Sequence, residues 1–168
     1  MNVTDGALNL SSQRGADNPI ISAIEAVWAG SSPATPLVTY TYRGDGLRYT
    51  KKITTTNPIT YTWDVNSGLP EVLQDGTHTY VYGLNGLISQ TDGSGNQTYI
   101  LADGLGSTRR LRYADGSHAA EYYYDAFGEM SGFGTSSTEY QFNGQYDDAT
   151  LGLLYLRARY YDPRRDGS

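Results

Sequence analysis

YVYGLNGLISQTDGSGNQTYILADGLGSTRRLRYADG, residues 80–116, carries the pattern on which the fold turns. Tyr80 and Tyr82 stand two apart, as do Tyr99 and Leu101, and residues at i and i+2 share one face of a strand. Glycine follows each pair, at Gly86 and Gly104, and in both places it precedes a leucine. Glycine adopts positive φ without steric cost, so each of these positions predicts a turn, with a new strand beginning at the leucine. The second strand runs out at Asp92-Gly93 and at Asp115-Gly116, and Asp-Gly is among the strongest short hairpin signals. Residues 80–98 and 99–121 therefore read as successive β-hairpins, preceded by another at 61–79.

The same beat extends outward in both directions. Tyr40-Thr-Tyr42, Tyr61-Thr-Trp63, Tyr122-Tyr-Tyr124, Tyr140-Gln-Phe142 and Tyr160-Tyr161 continue the series, with first tyrosines spaced 21, 19, 19, 23, 18 and 20 residues apart. Gly46, Gly68 and Gly128 hold the glycine place in three further units. A self-similar period of this length marks a repeat architecture. One hairpin alone is marginal in water, so stability has to come from neighbours. Two strands per unit give roughly 12 to 14 strands, and open twisted sheets rarely exceed about ten without curling or splitting. The expected fold is all-β, with antiparallel hairpins coiled into a short solenoid or open barrel.

Composition agrees with that reading and excludes several others. The 168 residues include 20 Gly and 16 Tyr but only 3 Phe and 2 Trp, and 18% are charged. A helical bundle would want Ala, Leu, Glu and Lys instead. With no cysteine there are no disulfides, thiolate zinc sites or cysteine nucleophiles. No apolar run approaches the roughly 20 residues of a membrane span. The opening MNVTDGALNL lacks the basic and apolar regions of a signal peptide. A net charge of -6 argues against non-specific nucleic-acid binding.

Residues 1–38 break the rhythm. Asn18 can cap a helix opening at Pro19, and Ile20, Ile21, Ile24, Val27 and Trp28 form one apolar stripe before Gly30. This predicts an amphipathic helix over 19–29, covering a sheet face or edge, followed by the Pro/Ser linker Ser31–Pro36. The expected organisation is thus an N-terminal segment 1–38, a β-domain 39–163 and a short tail 164–168.

Four motifs give the repeat a family. TYTYRGDGLR at 39–48, DGLGSTRRL at 103–111, YYYDAFGE at 122–129 and FNGQYDDATLGLLYLRARYYDP at 142–163 resemble the YD-repeat family, the Rhs-type proteins of bacteria, and in particular their Rhs-associated core segment. The resemblance implies a long strip of β-hairpins that spirals into a hollow shell around a C-terminal toxin domain, as similar repeats build the barrel of animal teneurins. It also implies a secreted or cell-surface protein, with the core segment closing one end of the shell. In many members that segment leads into an aspartyl autoprotease. Here the arginine of the RYY element is Arg159, while the downstream aspartate motifs have no counterpart and the repeat aspartate of the first unit is replaced by Arg43. The implied role is structural encapsulation or scaffolding, not an enzyme, by a fragment or a stand-alone relative without release chemistry. Residues expected to maintain the repeat are Tyr40, Tyr61, Tyr80, Tyr99, Gly104, Gly106, Tyr122, Tyr124, Asp125, Gly128, Gly144, Arg159, Tyr160 and Tyr161.

Catalytic chemistry finds little footing against structural readings. His78 and His118 follow equivalent turns, Asp75-Gly-Thr-His and Asp115-Gly-Ser-His, which favours strand-start roles over catalysis or metal binding. Asp147-Asp148 reads as a turn, since adjacent strand carboxylates face opposite ways. Asp162 precedes a proline, yet an aspartyl mechanism needs two carboxylates sharing a proton. Asp92–Asn96 lacks the ligand spacing of a calcium loop. Arg157 and Arg159 are expected on one strand face, and with Arg109, Arg110 and Arg112 to pair with aspartates and stack on tyrosines. No cofactor or metal is expected. Partners are expected to be the rest of an Rhs-type shell or further copies of the chain, through exposed sheet edges that could build a filament. A glycan or cell-surface binding module and an autoprotease remnant are the rival readings.

Overall fold

A computed structural model describes residues 9–14, 21–27, 38–54, 56–66, 68–157 and 159–164. Among them are sixteen strands, all antiparallel in their pairings, one 3-10 turn and no α-helix. The chain gathers into two compact units, Met1–Asp75 and Gly76–Ser168.

In the first unit, β1 (Asn9–Arg14), β2 (Ile21–Val27), β3 (Val38–Tyr42), β4 (Arg48–Ile53) and β5 (Ile59–Thr60) form one sheet in that order. After it, β6 (Thr62–Asp64) pairs with β7 (Glu71–Gln74). The helix expected over 19–29 is corrected here. Ile21–Val27 is a strand whose Ile24 lies opposite Tyr40 and whose Ala26 lies opposite Val38, while positions 19, 20, 28 and 29 fall outside the described residues. Three causes favour the strand. Ile21, Ile24 and Val27 are β-branched and lose rotamer freedom in a helix. An isolated helix shorter than about 12–15 residues is marginal in water. Finally, β3 offers an edge of unpaired N–H and C=O groups, which β2 satisfies. Two strands from the N-terminal segment also raise the count above the roughly 12 to 14 expected.

The core of this unit contains a fully buried cation. Arg48, at 0% exposure, places its guanidinium carbon 4.3 Å from the Tyr40 ring centroid and 5.3 Å from that of Tyr61. Its Nη1 donates to the Tyr61 hydroxyl at 3.3 Å, and Trp63 Nε1 donates to the Arg48 carbonyl at 2.7 Å. A guanidinium between two aromatic faces exchanges hydration for ring quadrupoles, an attraction that strengthens on desolvation.

In the second unit, β8 (His78–Gly83), β9 (Gly86–Asp92), β10 (Gln97–Ala102), β11 (Thr108–Tyr113), β12 (His118–Tyr124) and β13 (Met130–Gly134) lie side by side in chain order. Opposed residues on antiparallel neighbours share a face, so the registers define two surfaces. One carries Tyr80, Gln90, Thr98 and Tyr113, then Ile100, Leu111 and Ala120. It is the inner face: Tyr80, Gln90, Thr98, Leu111 and Ala120 are all buried. The other carries Val81, Ser89, Tyr99 and Arg112, then Leu101, Arg110, Glu121 and Phe133. The C-terminal stretch adds a small sheet of β14 (Tyr146–Asp148), β15 (Leu153–Tyr155) and β16 (Tyr160–Tyr161).

Candidate functional site

Six five-residue turns close with the same pair of hydrogen bonds: 43–47, 92–96, 103–107, 113–117, 125–129 and 141–145. In each, the N–H of the first residue donates to the carbonyl of the fifth at 2.8–3.1 Å. The fourth residue, always glycine, donates its N–H to the carbonyl of the first at 2.9–3.3 Å. These glycines, Gly46, Gly95, Gly106, Gly116, Gly128 and Gly144, have φ between 63° and 95°. The geometry is that of a three-residue hairpin loop ending in a left-handed bulge residue. Gly104, expected to turn the chain, is the second residue of its loop and is absent from the positive-φ glycines; Gly106 does that work. Gly93 is corrected in the same way, with Gly95 in the left-handed place.

The aspartates have a defined task in these turns. Where aspartate comes first, as at Asp92, Asp103 and Asp125, its Oδ1 accepts from the N–H groups of the third and fifth residues at 2.9–3.0 Å. In 43–47 and 113–117, where another residue comes first, an aspartate at the third position serves the fifth. Asp45 Oδ1 accepts from Leu47 N–H at 3.1 Å, and Asp115 Oδ1 from Ser117 N–H at 2.8 Å. With Arg43 in the first place, Asp45 still covers the N–H of the fifth residue. Asp103 also receives Arg109 Nε at 2.8 Å, and Arg109 lies 5.2 Å from the Tyr124 ring centroid.

The tyrosines divide by face. Tyr40, Tyr61, Tyr80, Tyr122 and Tyr140 are all buried, at 8% exposure or less. Tyr99 points outward at 39% exposure, and its neighbour Thr98 takes the inner position at 3%.

Over the inner face of the second unit runs a strap, residues 135–148. Tyr140 packs edge-on against Tyr80, with centroids 5.0 Å apart, and accepts a 2.8 Å hydrogen bond from Tyr82 on its hydroxyl. Thr108 binds the strap twice, through Oγ1 to the Tyr140 carbonyl at 2.6 Å and through N–H to the Gln141 carbonyl at 3.2 Å. Thr138 N–H donates to the Tyr122 hydroxyl at 3.2 Å, and Gln90 Nε2 donates to the Ser137 carbonyl at 2.6 Å. Asn143 N–H reaches Ser107 Oγ at 2.9 Å, which brings the turns of Gly106 and Gly144 together. Glu139 is gripped by His78 Nδ1 at 3.2 Å and by the Tyr80 hydroxyl at 3.1 Å. Burial pushes the Glu139 carboxyl upward, but His78 close beside it, with the Tyr80 hydrogen bond, outweighs that and holds the group below its usual range. Burial, with Tyr122 beside it, raises the Tyr124 phenol well above the ordinary value, so Tyr124 stays protonated and donates to the Thr108 carbonyl at 2.9 Å.

The remaining candidates have clear positions. His78 and His118 each open a strand, but His78 faces inward and His118 lies exposed against Phe133, centroids 5.5 Å apart. Asp147-Asp148 ends β14, and Asp148 opens the turn that follows, its carbonyl accepting from the Leu151 and Gly152 N–H groups. Arg157 and Arg159 do not share a strand face. Arg157 has φ 61° and stands before β16, where Leu156 N–H donates to the Arg159 carbonyl at 2.8 Å. Tyr161 donates to the Phe127 carbonyl at 2.8 Å, tying β16 to the Gly128 turn, and Tyr160 packs on Tyr155. Asp162 accepts from Arg164 N–H and Nε. The strap was invisible in the sequence because Thr135-Ser-Ser-Thr138 reads as an ordinary polar loop.

Known proteins resemble this chain in sequence and in fold. No family model matches it. It is 34% identical over 139 residues to the tRNA3(Ser)-specific nuclease WapA of Bacillus spizizenii, covering 77% of this chain and 6% of that protein. The tRNA nuclease WapA of Bacillus subtilis is 33% identical over 138 residues, again covering 77% and 6%. The chain thus spans a small part of the relatives it matches. Among solved structures, the TcdB2-TccC3 crystal structure superposes with a TM-score of 0.62 at 19% identity, over 95% of this chain and 9% of that one. The Photorhabdus luminescens Tc holotoxin pore gives 0.59 at 16% identity, over 95% and 8%. The likeness to these structures is one of fold. The expectation that the chain is no enzyme is overturned by the sequence relatives, which are named as tRNA nucleases.

Proposed function

We propose that the chain is a wall module of an Rhs-type shell, a YD-repeat sheet coiled into a short solenoid or open barrel. The repeat region is taken as 39–163, with 1–38 adding strands to its first sheet and 164–168 as a tail. The observation that carries this reading is the meander β8–β13. Its inner tyrosine face is closed by the chain's own strap, while β13 pairs, among the described residues, with β12 alone. All five residues of β13 are exposed, and an unpaired strand edge is a template for another strand. The partners are then the rest of a shell or further copies of the chain. Likeness to a holotoxin pore supports a secreted or cell-surface setting. Native mass spectrometry over a broad concentration range tests the assembly role: oligomers are expected, and monomers throughout would sink it.

The names of the sequence relatives support a second property, that proteins built with this module cut tRNA. Incubating the protein with total tRNA and resolving it on a denaturing gel is the direct measurement. Discrete fragments carry the activity over to this chain; intact tRNA confines it to the relatives.

A further inference from the structure

Two hydroxyls meet where the strap crosses β8. Tyr82 donates its phenolic hydrogen to the Tyr140 oxygen at 2.8 Å, with ring centroids 6.2 Å apart and ring planes at 84°. The bond spans 58 residues of sequence, from the sheet to the strap. Tyr140 is buried, whereas Tyr82 is only partly so. With no cysteine in the chain, no disulfide can fasten these two elements.

Phenols offer a different covalent link. Removing one electron and the hydroxyl proton gives a phenoxyl radical, whose unpaired electron is shared with the ring carbons beside the C–O bond. Two such radicals join carbon to carbon at those positions. The ring hydrogens displaced there then move to the oxygens, which restores both phenols. In total one C–C bond forms, two electrons pass to the oxidant and two protons pass to water. In the product, a dityrosine, the hydroxyls flank the new bond and hydrogen-bond to each other. Tyr82 and Tyr140 already hold their hydroxyls in that relation, so turning the rings out of their edge-on packing brings the coupling carbons together. Other tyrosines are placed differently. Tyr80 lies nearer to Tyr140, at 5.0 Å between centroids, but its hydroxyl donates to Glu139 Oε2 at 3.1 Å. The exposed Tyr99 and Tyr123 make no ring contact among the described residues, so they couple only between molecules.

We propose that Tyr82 and Tyr140 form an oxidative cross-linking site, where a one-electron oxidant of the peroxidase type joins the strap to β8 as a dityrosine. Tyr82 is the partner that the oxidant reaches. A link that closes so long a stretch of chain restricts the unfolded state and so raises stability. Dilute protein illuminated with ruthenium tris-bipyridine and persulfate should yield a monomer lighter by two hydrogens, with dityrosine fluorescence and a raised melting midpoint. Peptide sequencing by tandem mass spectrometry should place the link between Tyr82 and Tyr140. Tyr82→Phe keeps the ring but forms no phenoxyl radical, and should lose the product. Tyr80→Phe should retain it. Absence of an intramolecular link in the unaltered protein, its placement at Tyr80–Tyr140 or Tyr140–Tyr146, or its persistence in Tyr82→Phe would overturn the proposal.

Discussion

Gly128 meets two demands that a residue with a Cβ cannot meet together. Its φ is 95°, and a Cβ built there would stand 2.5 Å from Cδ1 of Phe142, the strap residue that packs on Tyr124. Gly128→Ala combines backbone strain with displacement of Phe142, and we expect a loss of about 1–3 kcal/mol in a urea titration. Gly44 is the matched control: it has no positive φ, and nothing lies within 4 Å of its Cβ position. Gly44→Ala should leave the urea midpoint nearly unchanged. The aspartates show the same economy. An aspartate at either the first or the third place of the loop can meet the fifth N–H, so Arg43 is tolerated in the first. A reading by motif alone counts Arg43 as a departure; a reading by hydrogen bond does not.

The strap joins the repeat to its core. It contributes few apolar side chains at its start, and it is held largely by hydrogen bonds to the inner face, from Gln90, Thr108 and Tyr122. Tyr122→Phe removes the acceptor of the buried Thr138 N–H. Leaving a buried donor unpaired costs about 1–3 kcal/mol, and amide exchange at Thr138 should quicken in step with the loss of stability. Unchanged exchange at Thr138 would show that this bond does not hold the strap. The predicted hairpins proved accurate because their signals are local: tyrosines two apart, a glycine, an aspartate. The strap depends on partners 16 to 59 residues away, such as Tyr122 to Thr138 and Tyr80 to Glu139, and no local pattern announces it. The N-terminal segment failed for the related reason that an apolar stripe at helical spacing loses to a free strand edge.

Acid stability follows from the carboxylates taken together. Glu139, Asp92, Asp103, Asp115 and Glu121 all sit below their usual ranges, held down chiefly by hydrogen bonds, although for Asp103 and Glu139 burial is the largest single effect and opposes the shift. A group depressed on folding adds stability above its unfolded value and gives it up as the pH falls through its folded value. Stability should therefore decline below about pH 4.5, the ordinary value for Glu139, and Glu139→Gln should flatten that acid limb. An unchanged slope would remove Glu139 from the account.

The tyrosine and glycine rhythm determined by itself that the protein is all-β, built of hairpins about 20 residues apart. Turn chemistry is local, and φ above zero admits few residues but glycine, so both are written in neighbouring letters. Tertiary structure alone decided which face of each strand is inner, and it turned Tyr99 outward. It also made Ile21–Val27 a strand, laid residues 135–148 across the tyrosines and buried Gln90 beneath them. Those outcomes depend on which distant backbone edge or side chain arrives to satisfy a buried group, and that is settled only when the whole chain has folded.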